Sequence, residues 1–246
     1  MNIALLGHGK TGKEIEKILL ERNHTIVEIF TSKNLLTDKK LESLKNNHTD
    51  CCIDFSTPET VYQNIERIIS HNIPIIVGTT GWNSQIEEIK KIVQLHNGAM
   101  VYGSNFSIGA NIFFKLASYT AQLLNNFSEY DIALHEIHHI LKKDSPSGTA
   151  LTIANAILEK LQRKNSLQYS TEKPIQKNEL LVTSSRIGSV IGTHTIHCNS
   201  VADDIELTHR AHNRNGFALG AVLAAEWIQN KKGIFTVEEF LFSDFI

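Results

Sequence analysis

Two adjacent histidines, a lysine, an aspartate and a Ser-Gly-Thr turn fall within one short run: His138, His139, Lys142, Asp144, Ser147, Gly148 and Thr149. An imidazole exchanges a proton near neutral pH, and an ammonium can donate one. Backbone amides at a helix start favour an anion. The mixture therefore points to proton transfer onto a substrate that carries a carboxylate. The preceding residues, 131–137, alternate as a strand. In residues 150–161 the side chains of Leu151, Ala154, Ile157, Leu158 and Leu161 share one side of a helix. The polar cluster thus belongs to a strand-to-helix loop. His135, His138 and His139 could also be read as metal ligands, but Glu136 and Asp144 complete no recognised ligand pattern around them, and no metal is expected.

The second chemical signal is at the amino terminus. An apolar strand, residues 2–6, runs directly into Gly7, His8, Gly9, Lys10, Thr11 and Gly12, and then into a helix that buries Ile15, Ile18 and Leu19. This is Gly-x-Gly-x-x-Gly between a strand and a helix, the context in which it marks a dinucleotide site. The first glycine permits the tight turn, the second lets backbone approach a pyrophosphate, and the third lets helix pack on strand. The next strand, residues 25–30, ends in Thr31, Ser32 and Lys33, with no acid to take the ribose hydroxyls. A serine and a lysine suit a ribose phosphate, which tilts the expected cofactor toward NADPH without excluding NADH.

These sites need a scaffold, and the pattern supplies one. Strands over 51–55, 73–77 and 99–102 alternate with helices over 58–70 and 84–95, as a parallel sheet requires. The turns carrying Gly78, Thr79 and Thr80, and Ser104, Asn105 and Phe106, follow two of those strands and would face the cofactor. A long helix over 110–124 opens a different pattern. Strand-like segments at 179–186, 192–199 and 204–210 suggest a mixed or antiparallel sheet, after a polar connection over 162–178. Helix returns at 216–229, and Thr236 with Glu239 forms a capping-box pattern for a last short helix. The expected fold is a Rossmann-like doubly wound α/β domain at the amino terminus joined to a smaller α+β domain with a mixed sheet.

Composition agrees with an enzyme of small molecules. The 246 residues have a formal net charge of −2 with both signs interleaved, so no basic face is offered to nucleic acid. No apolar run reaches the length of a membrane span and no signal peptide precedes the first strand. Cys51, Cys52 and Cys198 lie in apolar strands and form no disulfide framework, which favours a reducing cytoplasm.

With both motifs in view, the chain resembles the 4-hydroxy-tetrahydrodipicolinate reductases, the dihydrodipicolinate reductases of the bacterial diaminopimelate–lysine pathway. The resemblance runs the length of the chain. It is carried by the glycine loop, Asp54-Phe-Ser56, Gly78-Thr-Thr-Gly81, Asn105-Phe-Ser107, and His-His-x-x-Lys-x-Asp-x-Pro-Ser-Gly-Thr from His138. Arg186-x-Gly188 and Gly192-x-His194 complete it. It implies NADH or NADPH as cofactor, a small dicarboxylate substrate, a homotetramer, and a substrate-binding and oligomerisation domain over residues 107–213. It also implies a last segment that returns to the nucleotide domain, so that residues 1–106 and 214–246 form it with Arg214 and Phe217 near the cofactor. It further implies His138 as proton donor or acceptor, Lys142 as proton donor, and His139, Gly148 and Thr149 as carboxylate holders. Asp144 either orients Lys142 or is structural, the latter preferred. The departures are Thr31, Ser32 and Lys33 where the family often has an acid, Ser145 where alanine is usual, and a short region near residues 33–44.

Other classes make distinct demands. A nucleotide-binding sensor of the same fold would not need His138, His139 and Lys142. A same-fold reductase of another imine dicarboxylate would keep them. An aldehyde-type dehydrogenase would want a nucleophilic cysteine at the cofactor mouth, whereas the three cysteines here lie inside strands.

Overall fold

A computed structural model describes residues 1–243. In chain order the first elements are β1 (Asn2–Leu6), α1 (Lys10–Glu21), β2 (Thr25–Phe30), α2 (Asp38–Asn46), β3 (Cys51–Asp54), α3 (Pro58–Ser70), β4 (Ile75–Val77), α4 (Ile86–Leu95) and β5 (Ala99–Tyr102). Then come α5 (Ile108–Leu124), β6 (Asp131–His138), α6 (Gly148–Lys160), β7 (Ser166–Gln168), β8 (Glu179–Arg186), β9 (Gly192–Asn199) and β10 (Asp204–Ala211). The chain closes with α7 (Asn215–Trp227), β11 (Gly233–Thr236) and α8 (Val237–Phe242). Two compact units result: Met1–Ile108 with the segment from Arg214 onward, and Gly109–Asn213.

The first unit is a six-stranded sheet in the order β11-β5-β4-β3-β1-β2, with every pair parallel. A parallel sheet covered on both faces needs apolar side chains on both, and the pleat distributes them. Ile3, Leu5, Cys51 and Ile53 enter one core layer with Ile15 and Leu19 of α1 and the alanine-rich face of α7. Ala4, Leu6 and Cys52 enter the other, with Leu41 and Leu44 of α2, Val61 and Ile65 of α3, and Ile89 and Val93 of α4. The cysteines are therefore core residues, and burial pushes all three thiols up in pKa, Cys198 to about 11. The return of the chain has a physical reason: without α7, half of one sheet face would lie open. Close packing there depends on Gly220, where a Cβ would stand 1.8 Å from the Phe106 carbonyl oxygen.

The second unit is a five-stranded sheet, β10-β9-β6-β8-β7. It is mixed, as expected: β9 pairs antiparallel with β6 and β10, while β6 with β8 and β8 with β7 are parallel. Helices α5 and α6 cover one face through Phe113, Ala117 and Ala121, and Ile153, Ala154 and Ile157. The cross-strand rows on that face begin apolar: Ile132 lies beside Cys198, and Leu134 between Val182 and Ile196. The next row is Ser184, Glu136 and His194, and the last pairs His138 with Arg186. A covered sheet face thus changes from apolar to ionisable within four residues of one strand, at the end where the His-Lys loop departs.

Three elements differ from the sequence expectation. Helix α2 has only Leu41 and Leu44 as buried contacts, too few for its periodicity to stand out. Strand β7 lies within the connection expected to be irregular, pairing through three residues with β8. Strand β11 begins at a glycine with φ +114° and adds to the sheet edge beside β5. Such short edge strands carry little pattern of their own. The capping box does form, with Thr236 Oγ1 accepting from the Glu239 amide and the Glu239 carboxylate accepting from the Thr236 amide.

Candidate active site

In the first unit the residues expected to bind cofactor lie on the loop after β1 and the first turn of α1, on loops after β2, β4 and β5, and at the start of α7. Gly7 has φ +91°, and a Cβ there would stand 2.2 Å from the Phe55 carbonyl oxygen. A Cβ on Gly12 would stand 2.3 Å from the Gly7 carbonyl oxygen, so both positions require glycine for packing. Gly9 is the N-cap of α1 and has no atom within 4 Å of the place a Cβ would take. That open position lies over the unpaired first amides of the helix, with Lys10 exposed and Thr11 half-buried beside it. These residues fit a dinucleotide pyrophosphate. His8 Nε2 stands 2.6 Å from Glu16 Oε2 on α1.

Ser32 and Lys33 are exposed at the tip of a turn closed by paired Thr31 and Asn34 backbone bonds. Glu28 is engaged below that turn by Asn34 Nδ2 at 2.8 Å and Lys40 Nζ at 3.9 Å, which leaves Lys33 as the cation at the tip. The turns after β4 and β5 line a common cleft with Thr79, Thr80, Trp82, Tyr102 and Ser104. Gly78 is packed against the Phe55 ring. Asn105 Oδ1 accepts from the Ser107 amide at 2.9 Å. Phe106 is 1% exposed and its ring packs 5.9 Å from Phe55, so its side chain belongs to the core. Arg214 is the exposed N-cap of α7, with Phe217 half-buried one turn on.

Beneath these turns lies a residue whose role the sequence left unassigned. Asp54 is fully buried and accepts from the Ser56 amide (2.9 Å), Ser56 Oγ (2.7 Å), Thr79 Oγ1 (2.7 Å) and Asn64 Nδ2 (2.8 Å). Burial raises its pKa against the opposing pull of these donors. The carboxylate ties the end of β3 to the turn after β4.

In the second unit α6 begins at Gly148, two residues earlier than expected, because Ser147 is its cap: Ser147 Oγ accepts from the Ala150 amide at 3.0 Å. Gly148 and Thr149 are thus first-turn residues, whose amides have no acceptor within the helix. Gly148 is exposed, and nothing lies within 4 Å of a Cβ placed there. His139 is half-buried on the loop. Lys142 Nζ donates to both oxygens of Asp144, at 2.8 and 2.9 Å, and this lowers the Asp144 pKa. Asp144 thus engages Lys142 through its carboxylate and Arg186 Nη2 through its carbonyl, at 2.7 Å.

His138 is 8% exposed. Its Nδ1 lies 2.8 Å from the Ile191 carbonyl oxygen, which can only accept, so Nδ1 carries hydrogen. Its Nε2 has no hydrogen-bond partner among the described residues and stands 3.4 Å from Glu136 Oε2. Gly192 makes the ring's position possible, since a Cβ there would be 2.9 Å from His138 Cε1. Backbone bonds from Ile187 to the His138 carbonyl (2.8 Å) and from Ile140 to the Gly188 carbonyl (3.2 Å) hold the β8–β9 turn against the loop.

Glu136, His138 and His194 bring possible metal-ligand atoms within 4.8 Å of one another, a grouping that the sequence spacing did not reveal. The Glu136 carboxylate is already neutralised by Arg186 Nη2 at 3.0 Å and accepts from Ser184 Oγ at 2.9 Å and the Ser147 amide at 3.1 Å. Burial opposes its charge, yet His138, His194, Ser147 and Ser184 hold its pKa well below the usual carboxylate range. The carboxylate at the centre of the cluster is thus held by one guanidinium, one hydroxyl and one amide. Its sequence signal was strand alternation: Ile132, Leu134, Glu136 and His138 face one way, so an acid must share the apolar side.

Comparison with known proteins matches both units. The family described as "Dihydrodipicolinate reductase, N-terminus" covers residues 1–106, and "Dihydrodipicolinate reductase, C-terminus" covers residues 109–241. A 4-hydroxy-tetrahydrodipicolinate reductase of Christiangramia forsetii is 41% identical over 241 residues, 98% of each chain. One from Aquifex aeolicus is 39% identical over 198 residues, 79% of this chain and 74% of that one. Among solved structures, a dipicolinate-bound dihydrodipicolinate reductase from Paenisporosarcina sp. TG-14 superposes with a TM-score of 0.78. It is 22% identical, with 96% of this chain and 97% of the other covered, a likeness of fold.

Proposed function

The chain belongs to the dihydrodipicolinate reductase family, and from that premise we propose how its residues divide the work of reducing 4-hydroxy-tetrahydrodipicolinate. The reaction consumes NAD(P)H and a proton and yields tetrahydrodipicolinate, NAD(P)⁺ and water. The reduced nicotinamide, when bound, supplies hydride to the conjugated ring carbon that loss of the hydroxyl leaves. The glycine loop receives the pyrophosphate, Ser32 and Lys33 the ribose side, and the turns at Gly78, Thr79 and Thr80 and at Ser104 and Asn105 the remainder. Arg214 and Phe217 stand at the start of α7.

The second unit takes the dicarboxylate. One carboxylate is held by His139, Thr149 and the first amides of α6. Hydride addition leaves an enamine whose neighbouring carbon must gain a proton. Lys142 donates it, and His138, at the end of β6 where the lysine loop departs, supplies or accepts a proton at the site. The observation that carries this reading is the His-Lys loop ending at the Ser147 cap, where proton donors and anion-binding amides share a few residues.

We place the enzyme in the cytoplasm, in keeping with three free buried thiols. We take it to be a homotetramer assembled through the second unit, whose α5 exposes Ile112, Leu116, Tyr119 and Leu123. No helix among the described residues is long and apolar enough to cross a membrane.

The test is loss of NAD(P)H absorbance with substrate made in situ from aspartate semialdehyde and pyruvate by its synthase. Rapid oxidation supports the assignment. Tight NAD(P)H binding without oxidation would favour the sensor or another imine substrate. The cofactor preference has its own test. Lys33→Glu should cut the NADPH-to-NADH ratio of kcat/KM by roughly tenfold or more, the worth of a charge-assisted hydrogen bond to a ribose phosphate. An unchanged ratio would return Lys33 to a solvated loop charge.

A further inference from the structure

We propose that Glu136 is the positioning residue of this site: it holds the proton-handling strand, the carboxylate-binding turn and the lysine loop in one arrangement. The inference rests on the roles proposed above for His138, Lys142 and Thr149. Glu136 has no exposed surface and so does not touch substrate. It acts through what it binds.

Contacts from four places in the sequence converge on it. The Ser147 amide donates to both carboxylate oxygens, at 3.1 and 3.2 Å, which fixes the cap residue of α6. Arg186 Nη2 donates to Glu136 Oε1 at 3.0 Å and to the Asp144 carbonyl at 2.7 Å, so the guanidinium bridges the carboxylate to the backbone of the lysine loop. Ser184 Oγ adds a third donor at 2.9 Å. On the other oxygen, His138 Nε2 stands at 3.4 Å and His194 Nε2 at 3.6 Å, and His194 Nε2 reaches Ser147 Oγ at 3.3 Å.

The loop between His138 and Ser147 has little packing of its own. Ile140 is 65% exposed and Leu141 81%. It is held at the Asp144 carbonyl through Arg186 and at the Ser147 amide directly, and both ties end on the Glu136 carboxylate. A loop fixed this way presents Lys142 and the first amides of α6 in a set geometry before substrate arrives, which is what proximity catalysis needs. A buried carboxylate is suited to the task because it accepts several donors at once and offsets the Arg186 charge. A neutral amide of the same shape would turn an N–H toward existing donors and leave Arg186 without its counter-charge.

Glu136→Gln in the full-length enzyme tests the proposal. Steady-state kinetics should show kcat lowered roughly 10–100-fold, the cost of leaving buried donors mismatched. Inhibition by pyridine-2,6-dicarboxylate should weaken in the same variant, while the KM for NADPH stays at the wild-type value. That split separates positioning from general damage. Wild-type kcat and dicarboxylate inhibition in Glu136→Gln would overturn the proposal. So would a parallel loss of NADPH affinity, which would mark a merely structural residue. Should Glu136→Gln not fold, Glu136→Asp decides in the same assay. It keeps the charge but withdraws it from the Ser147 amide, and lowered kcat at unchanged NADPH KM supports the role, whereas wild-type kcat refutes it. A wild-type enzyme without turnover would instead count against the roles assigned to His138 and Lys142.

Discussion

His138→Gln should lower kcat by roughly 10²–10⁴-fold, the range seen when a positioned acid or base is removed, with NADPH affinity left at the wild-type value. The substitution isolates chemistry from shape. A glutamine amide can still donate to the Ile191 carbonyl oxygen, the contact that fixes the imidazole through Nδ1 at 2.8 Å. It is smaller than the space left by Gly192 requires, so it adds no clash. What it lacks is an imidazole that can both give and take a proton. Cofactor affinity should not follow, because the glycine loop belongs to the other compact unit. A variant that loses NADPH binding as much as turnover would argue that His138 supports the fold rather than the proton transfer.

The second large effect is expected at Lys142. Lys142→Ala removes the ammonium proposed to protonate the enamine carbon, and kcat should again fall roughly 10²–10⁴-fold. A rise in KM for the dicarboxylate is expected with it, since the same charge faces an anionic substrate. Stability should hardly change. The partner carboxylate, Asp144, keeps 58% of its side-chain surface in water, and exposed ion pairs contribute at most about 1 kcal/mol. The check is a pair of measurements on one preparation: thermal midpoint and single-turnover NADPH oxidation. Unimpaired single turnover would remove Lys142 from the chemical step. A collapsed midpoint would show that the ion pair holds the loop rather than the proton.

These two residues and the glycine loop were legible because their meaning is local. Gly12 is set by the Gly7 carbonyl within one strand-turn-helix unit and Gly7 by its positive φ, so spacing carried the reading, although the close approach at Gly7 is to Phe55, at a later strand end. The same holds for the helix after the Ser-Gly-Thr turn, whose start lies two residues before the expected one, and for Thr236 with Glu239, whose reciprocal bonds span three residues. Where a pattern was short, it was lost: β7 has three residues and β11 four, too few for alternation to show.

By itself, then, the sequence determined the strand-loop-helix units and singled out the groups proposed to handle protons and anions, because these patterns depend on neighbours within a few residues along the chain. Tertiary structure alone decided what surrounds them. Glu136 meets Ser184 and Arg186 only because β6 pairs parallel with β8, and meets His194 only because β6 pairs antiparallel with β9. Phe106 turns into the core because α7, more than a hundred residues later, brings Gly220 against its carbonyl. His8 faces Glu16 and Asp144 faces Lys142 through side-chain choices that spacing permits but does not compel. The physical reason is that strand order and register follow from how whole faces are buried. A charge on a buried face takes its partners from strands that the local pattern around it cannot name.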